Sequence, residues 1–233
     1  MKAPFVRRMA AEFLGTGFLV ATVIGSGIMG ERLAGGNVAI ALLANTIATG
    51  AALVALILAF GPISGAHLNP VVTLSDALEG GMPWKETPGY IVAQVLGAMG
   101  GAVVAHGMFA LPVVSLSQHA RSGASQLFSE FVATFGLMCV IWGCAKRRPD
   151  AVGFAVGAYI TAAYWFTAST SFANPAVTIG RALSDTFAGI RPQDAPGFTL
   201  AQIGGGLAAT LLFRWFRASD IQPTPIESSN SKA

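Results

Sequence analysis

Charged side chains are scarce in this sequence, and their scarcity excludes most classes of water-soluble protein. Asp, Glu, Lys and Arg make up 11% of the 233 residues, whereas hydrophobic residues make up 53%. A soluble domain carries charges at about a quarter of its positions, so this chain has too few to cover a water-facing surface. We therefore expect the lipid bilayer to solvate most of the protein.

The formal net charge of +3 does not indicate a nucleic-acid partner, because the basic residues form no stripe or cluster. They are scattered near the ends of apolar segments, which is where membrane proteins place them. We therefore expect no nucleic acid among the partners.

Reactive groups are also few. The two cysteines, Cys139 and Cys144, lie in one apolar segment. At that spacing they point to different sides of a helix, so we expect no disulfide between them. The sequence shows no metal-ligand cluster and no pairing of a nucleophile with a base. We expect no metal, no cofactor and no enzymatic activity.

Long apolar runs, in contrast, are abundant. A helix that spans a bilayer needs about 20 mostly apolar residues. Six segments meet this requirement, at approximately residues 9–30, 37–60, 87–110, 124–145, 151–170 and 196–216. Two mildly apolar segments, 67–80 and 174–189, are too short to span. The sequence thus predicts an all-α membrane protein with six transmembrane helices.

The ends of the chain are more polar than its centre. We predict a membrane domain over residues 9–217, a short N-terminal segment over 1–8, and a tail over 218–233. The tail is rich in Ser and Pro and poor in large apolar residues, which is typical of disorder.

Lys and Arg are distributed unevenly between the two ends of the predicted spans. If both termini are cytoplasmic, ten of the 14 basic residues fall inside and four fall outside. Cytoplasmic loops of membrane proteins carry the excess. We therefore predict a multi-pass protein of the cell inner (plasma) membrane with both termini cytoplasmic.

The two halves of the chain repeat one another. Three pairs of segments match in the same order, namely 11–18 with 129–136, 67–74 with 172–179, and 93–98 with 201–206. Each repeat, about 9–110 and about 124–217, holds three predicted spans, so the second must be inverted in the membrane. Inverted repeats place functional elements near the middle of the bilayer.

Each short segment opens with an Asn-Pro pair. Asn69 and Asn174 suit the N-cap of a helix, and Pro70 and Pro175 suit its first position. We therefore predict two half-helices that enter the membrane from opposite sides. The residues before each cap are not helical, and irregular backbone at membrane depth must face protein or a water-filled cavity. We expect a pore lined by the carbonyl groups of Gly65, Ala66, His67, Thr170, Ser171 and Phe172.

The two caps are predicted to meet at the centre of the pore, with their amide donors facing its lumen. The positive ends of both half-helix dipoles also point there, which attracts a neutral hydrogen-bonding molecule and repels a cation. The predicted central constriction comprises Asn69, Pro70, Val71, Asn174, Pro175 and Ala176.

These motifs resemble those of the major intrinsic protein family, the aquaporins and aquaglyceroporins, over residues 8–217. The segments Ser64-Gly65-Ala66-His67-Leu68-Asn69-Pro70 and Asn174-Pro175-Ala176 carry the resemblance most specifically. The chain departs from the family at Val71, where Ala is usual. The resemblance implies an aquaporin-like fold with six transmembrane helices, two re-entrant half-helices and an inverted repeat. It also implies a homotetramer in which each subunit has its own pore.

The resemblance further implies a selectivity filter toward the outside of the membrane. Counting from the two Asn-Pro pairs assigns its four positions to Thr49, Ala162, Ser171 and Val177. Water-selective members of the family have an aromatic residue, a His, a small residue and an Arg there. Because this chain has smaller residues at three positions and no Arg, we predict a wide, uncharged filter that leaks cations more readily than that of an Arg-bearing relative.

Such a filter suits small neutral solutes that present both CH and OH groups, such as glycerol-sized polyols and metalloid hydroxides like arsenous acid, in addition to water. Residues 169–190 resemble bacterial aquaglyceroporins associated with arsenic-resistance operons (AqpS type), and this resemblance favours a metalloid solute. Two alternatives remain open. One is a secondary transporter, because transporters also use inverted repeats and broken helices. The other is a plain water or glycerol channel with no metalloid role.

Three ionisable residues inside the membrane region each allow two interpretations. Glu12 and Glu130 occupy equivalent positions in the two repeats. They could form a proton or ion pathway, but their symmetry favours a structural role in which each carboxylate holds an irregular loop in shape. Arg181 could place a positive charge at the outer mouth of the pore, or extend to the membrane interface as long basic side chains do.

Overall fold

The structure, a computed structural model, describes residues 3–218, and the regular structure in this range is helical. Its α-helices are α1 (Phe5–Leu33), α2 (Val38–Ser64), α3 (Pro70–Leu78), α4 (Thr87–Met108), α5 (Ala124–Ala145), α6 (Val152–Phe166), α7 (Pro175–Ala182) and α8 (Ala195–Ala218). Short 3-10 turns, Trp84–Glu86 and Pro149–Ala151, directly precede α4 and α6. The predicted all-α class is confirmed. The predicted tail, 218–233, lies outside the described residues except for Ala218.

Five of these helices, α1, α2, α4, α5 and α8, are long and apolar enough to cross a membrane. The remaining predicted span corresponds to α6, which has 15 residues and continues the 3-10 turn before it. The predicted span over 151–170 is too long, because Thr167 is extended and ends the helix. The residues after Thr167 form the irregular chain that leads into α7.

The ends of α2 are set by its sequence. Asn37 caps its first turn, because the side-chain oxygen accepts hydrogen bonds from the backbone N–H groups of Ala39 and Ile40 at 3.1 and 3.3 Å. Gly65 ends the helix with a φ of +94°, a left-handed conformation that glycine adopts without steric cost. The chain therefore turns directly from α2 into the loop before α3.

The two repeats share the same close helix crossing. A Cβ atom built on Gly97 of α4 would lie 2.2 Å from the carbonyl oxygen of Phe13 in α1. The equivalent Cβ on Gly205 of α8 would lie 2.3 Å from the carbonyl oxygen of Phe131 in α5. Only glycine permits such an approach, which is the usual role of small residues between membrane helices. Both cysteines of α5 are free, as predicted.

The molecule has two ends, which we name the terminal face and the loop face. The terminal face holds the start of α1 and the end of α8. At this face Arg8 of α1 pairs with Glu86, in the turn before α4, at 2.7 Å. This contact lies in the first turn of α1, which begins at Phe5 rather than at the predicted residue 9. The loop face holds the connections 109–123 and 183–194. From the middle of the molecule, α3 runs toward the terminal face and α7 toward the loop face.

Candidate functional site

A cavity of about 530 Å³ lies between the two repeats and is lined by residues of both. Its lining begins at the terminal face near Asp150, passes Asn69 and Asn174 in the middle, and ends toward the loop face at Tyr164 and Arg181. Most of the other lining residues are apolar. The cavity therefore offers a small solute an apolar wall with polar groups at a few defined depths.

The two half-helices meet in the middle of this cavity. They begin at Pro70 and Pro175, as the sequence predicts. The side-chain oxygen of Asn69 accepts a hydrogen bond from Val71 N at 2.9 Å. The equivalent oxygen of Asn174 is 3.0 Å from Ala176 N. Both caps thus hold the positive end of a helix dipole against the lumen.

The side-chain amides of these two asparagines join the two loops. Asn69 Nδ2 donates to the carbonyl oxygen of Ala173 at 2.8 Å, and Asn174 Nδ2 donates to that of Leu68 at 2.7 Å. An amide group has two N–H donors. One donor of each asparagine therefore holds the opposite loop, and the second is left for the lumen that both residues line.

The loops before the two caps share an unusual backbone conformation. Positive φ values occur at equivalent positions, namely Gly65, Ala66 and Leu68 in the first loop and Thr170, Ser171 and Ala173 in the second. For a residue other than glycine, each left-handed conformation costs about 1–2 kcal/mol. Such a conformation persists only when surrounding contacts hold it, and each loop has a buried carboxylate that does so.

In the first repeat this carboxylate is Glu12, which is fully buried. Its oxygens accept hydrogen bonds from His67 N at 3.0 Å and Leu68 N at 2.7 Å. They also accept from Ser64 Oγ at 2.6 Å and Gln94 Nε2 at 2.8 Å. Glu12 therefore braces the end of α2, the loop and α4 at once.

The second repeat has the same arrangement around Glu130, which is also fully buried. Its oxygens accept from Phe172 N at 2.9 Å and Ala173 N at 2.8 Å, and from Gln202 Nε2 at 2.6 Å. Neither Glu12 nor Glu130 lines the cavity. These contacts agree with the structural interpretation of the two carboxylates rather than with an ion pathway.

The residues predicted to line the pore with their carbonyl groups are mostly at the cavity wall. Gly65, Ala66, His67, Ser171 and Phe172 line it, whereas Thr170 does not. The N–H of Thr170 donates to the carbonyl oxygen of Thr167 at 3.3 Å, and no atom of Thr170 belongs to the cavity wall. Its assignment as a pore-lining residue is therefore wrong.

Four residues of the predicted central constriction, Pro70, Val71, Pro175 and Ala176, do not line the cavity either, although all four are buried. Val71 instead packs away from the lumen with Met138 of α5 and Ala209 of α8. A Cβ atom built on Gly206 would lie 2.2 Å from Val71 Cγ1. A glycine on α8 thus accommodates the unusual Val71. Val71 does not narrow the lumen, whose central wall is formed by Asn69 and Asn174.

This packing predicts that Gly206→Ala destabilises the protein by about 1–3 kcal/mol, the usual cost of forcing a methyl group into a filled site. In a Val71→Ala background the same substitution has room, so its effect should nearly vanish. Thermal unfolding in detergent of the four proteins of this cycle measures the coupling. Equal effects of Gly206→Ala in both backgrounds would contradict the contact.

Toward the loop face, the cavity wall includes Thr49 of α2 and Tyr164 of α6, whose hydroxyl oxygens are 3.2 Å apart. The predicted filter residue of α6, Ala162, is exposed and does not line the cavity. The assignment of Ala162 is therefore wrong, and Tyr164 takes its place. The face of α6 that lines the cavity also includes Val156 and Ile160, at the spacing of one side of a helix.

The remaining predicted filter residues, Ser171 and Val177, both line the cavity. Ser171 Oγ is buried and has no hydrogen-bond partner within residues 3–218. Arg181 follows Val177 by one helical turn and also lines the cavity, although it is only 2% exposed. Its guanidinium carbon lies 3.3 Å from the centroid of the Phe172 ring, and its Nε donates to the carbonyl oxygen of Ala188.

A second buried arginine, Arg121, lies on the same aromatic ring, with its guanidinium carbon 5.0 Å from the Phe172 centroid. It belongs to the connection between α4 and α5, outside the membrane-spanning helices. Its Nε donates to Gly189 O at 2.8 Å and its Nη1 to Ser169 O at 3.2 Å. Burial lowers the pKa of Arg121 to about 10, so it stays charged at neutral pH. Arg121 does not line the cavity, and sequence reasoning did not identify it.

Comparison with known proteins agrees with this architecture. The sequence model of the family described as "Major intrinsic protein" matches residues 1–152. Aquaglyceroporin AqpS of Rhizobium meliloti (strain 1021) is 53% identical over 209 residues, which cover 90% of this chain and 89% of that protein. Aquaporin NIP1-4 of Oryza sativa subsp. japonica is 38% identical over 194 residues, which cover 78% of this chain and 68% of that protein.

Among solved structures, the X-ray structure of the aquaglyceroporin from Plasmodium falciparum superposes with a TM-score of 0.67. The two share 23% sequence identity, and the match covers 91% of this chain and 95% of the other. At this level of identity the likeness shows the fold. The predicted aquaporin-like fold is therefore confirmed.

Proposed function

We propose that this chain, which belongs to the major intrinsic protein family, is a passive channel whose solutes are small neutral molecules that carry several hydroxyl groups. Arsenous acid and other metalloid hydroxides, glycerol-sized polyols and water are the members of this class that we expect to pass. Proteins of this family are membrane channels and not enzymes, so the proposal concerns the solute and the way it is selected.

The observation that carries the proposal is the composition of the cavity wall. One part of the wall is apolar, for example Leu19, Val23 and Ile160. The loop residues 65–69 and 171–174 lie along it and supply backbone carbonyl acceptors and amide donors. A solute that presents CH groups on one side and OH groups on the other can exchange its water shell for these contacts at each depth.

The filter region supports the same class of solute. Val177 contributes no donor and no charge, while Thr49 and Tyr164 contribute two hydroxyl groups close together. A hydroxyl group both donates and accepts, so this pair suits a solute OH better than an ion. Tyr164 makes the region narrower than three small residues would, which favours compact trihydroxy solutes over longer polyols.

The two carboxylates at equivalent positions of the repeats give secondary transport no support. The ionisable residues that line the cavity near Asn69 are His67 and Asp76, which lie 3.7 Å apart on one repeat and have no equivalent pair on the other. A coupled transporter needs ionisable residues at its central site. Glu12 and Glu130 are absent from the lining, and their oxygens are occupied by hydrogen bonds from the loops. The central polar groups are the two asparagine amides.

The assembly and orientation are part of the proposal. Many large apolar side chains on the outer surface are exposed, including Phe18, Ile47, Phe128, Leu200 and Trp215, and lipid together with neighbouring subunits of a homotetramer would cover them. The terminal face carries Arg7, Arg8, Lys85, Lys146, Arg147, Arg148, Arg214 and Arg217. This excess of positive charge favours a cytoplasmic terminal face in the inner (plasma) membrane.

Stopped-flow light scattering on proteoliposomes tests the solute class. Vesicles that contain the protein should swell faster than empty vesicles with glycerol and an arsenous acid analogue and should also conduct water, with urea as a small neutral solute that has no hydroxyl group. A disaccharide outside the vesicles serves as the impermeant control. Rapid water flux with no increase for any of the three solutes would exclude the proposed class and leave a plain water channel.

A further inference from the structure

We propose that Arg181 provides the fixed positive charge of the selectivity filter, one helical turn beyond the position that Val177 occupies. This inference rests on the proposed channel function and identifies the group that excludes cations from the channel. It revises the expectation, drawn from the sequence, of an uncharged filter with an increased cation leak.

The position of Arg181 on α7 allows its charge to take the place of one at position 177. Residues four apart on a helix lie on the same face, so Val177 and Arg181 are neighbours along the cavity wall, and both line it. The short side chain of Val177 leaves the space beside α7 free. A guanidinium rooted one turn farther out can therefore share the lumen with the Thr49–Tyr164 hydroxyl pair.

The surroundings of Arg181 fix the guanidinium without neutralising it. The ring of Phe172 supports one face of the group, and the Ala188 carbonyl accepts from Nε. Within residues 3–218, Arg181 forms no salt bridge, and its two terminal nitrogens make no hydrogen bond. These nitrogens are not among the polar side-chain atoms that are fully buried without a hydrogen-bond partner, so they keep some accessible surface. They are left to face the cavity that the residue lines.

The comparison with Arg121 separates this role from a purely structural one. Arg121 lies on the same ring of Phe172, but its nitrogens donate to two loop carbonyl oxygens and it does not line the cavity. Arg121 thus has the contacts of a residue that holds a loop. Arg181 has one such contact and is too deeply buried, at 2% exposure, for an arginine that extends into interfacial water.

An arginine with free terminal nitrogens in a narrow, mostly apolar cavity has two consequences. Its charge raises the energy of any cation nearby, because the low dielectric of the cavity weakens the field less than water does. Its N–H groups donate hydrogen bonds, so they favour solutes that present oxygen lone pairs. The Thr49–Tyr164 pair and Arg181 together would therefore recognise a hydroxylated neutral solute and reject hydronium or sodium ions.

The test measures proton entry with a trapped pH-sensitive dye, in parallel with solute flux, in proteoliposomes that contain equal amounts of folded protein. Proton entry into vesicles with the wild-type protein should be at most slightly faster than into empty vesicles, even though position 177 lacks a charge. Arg181→Gln should raise proton entry by at least about tenfold while water and glycerol still pass. Arg181→Lys should keep most of the exclusion, since it keeps the charge.

Two further variants control for damage to the loops. Arg121→Gln removes the other arginine beside Phe172. Per folded protein, this variant should exclude protons as well as the wild type does. Val177→Arg combined with Arg181→Gln returns the charge to the wall one turn inward and should restore exclusion. If Arg181→Gln folds poorly, Arg181→Met, which keeps a long uncharged side chain against Phe172, replaces it in the same assay.

Three results would overturn the proposal. They are a wild-type protein that is itself leaky, an Arg181→Gln channel that conducts glycerol but excludes protons fully, and an Arg121→Gln channel with the same leak as Arg181→Gln. The proposed channel function fails separately, by the absence of solute flux in the wild-type protein.

Discussion

Replacing Val177 by Arg is expected to reduce glycerol and arsenous acid flux by at least about tenfold, a difference of about 1.4 kcal/mol in the barrier, while water still passes. Val177 lines the same cavity as the Thr49–Tyr164 pair. A guanidinium at this position would fill the space that a three-carbon solute needs, and it would add a second positive charge beside Arg181. Stopped-flow measurements on the variant, with each rate divided by the water rate, give the selectivity directly.

A matched variant separates size from charge in this experiment. Val177→Leu adds bulk at the same position without a charge or a hydrogen-bond donor, so it should lower glycerol flux less than Val177→Arg does. Uptake of glycerol and arsenous acid that is unchanged in Val177→Arg would show that position 177 does not belong to the filter. The assignment of the solute pathway to this end of the cavity would then be wrong.

Replacing Glu12 of α1 by Gln is expected to cause the largest loss of stability among single changes to the residues that hold the first loop. The carboxylate accepts four hydrogen bonds, two of them from backbone N–H groups of the strained loop. A Gln side chain turns one acceptor oxygen into a donor, and each buried donor left without a partner costs about 1–3 kcal/mol. Thermal unfolding in detergent and the fraction of protein that elutes as a single species measure the effect.

The control for this variant lies on the same helix. Glu31 is exposed near the end of α1, so Glu31→Gln should leave the unfolding temperature almost unchanged. Glu130→Gln should resemble Glu12→Gln, because the two sites are equivalent. A Glu12→Gln protein that is as stable as the wild type but has lost a proton-dependent uptake would instead support the ion-pathway interpretation.

The parts of the site that depend on local sequence could be predicted to the residue. The starts of α3 and α7 follow from an N-cap asparagine and a proline at the next position, and neither depends on distant contacts. The structural role of Glu12 was inferred from its equivalence to Glu130, which only needs the repeat. These features require no knowledge of how the helices pack.

The features that could not be predicted depend on the path of the chain between elements. Ala162 was assigned by counting back from Asn174 across the irregular segment after Phe166. Because this segment has no constant rise per residue, counting across it does not fix which face of α6 a residue lies on. The helical spacing of Val156, Ile160 and Tyr164 on α6 was available in the sequence and is the better guide, because α6 is regular there. The burial of Arg181 depends on Phe172 and Ala188, which no local pattern connects to it.

These corrections change the character of the filter region. It was expected to be wide and uncharged, with small residues at three of four positions. The cavity wall instead includes the hydroxyl of Tyr164 and, one turn from Val177, the guanidinium of Arg181. The proposed selectivity for neutral hydroxylated solutes is kept. Its physical basis is no longer a filter without polar groups, but a filter in which the hydroxyl of Tyr164 and the guanidinium of Arg181 lie at defined positions.

The central claim is that solute crosses this protein passively through the cavity between the two repeats. The most direct test is the initial rate of glycerol entry into proteoliposomes over a wide range of glycerol concentration, with and without an inward proton gradient. A passive channel predicts a rate that rises linearly with concentration and does not respond to the gradient. A rate that saturates, or that the proton gradient accelerates, would contradict the account and favour a coupled transporter.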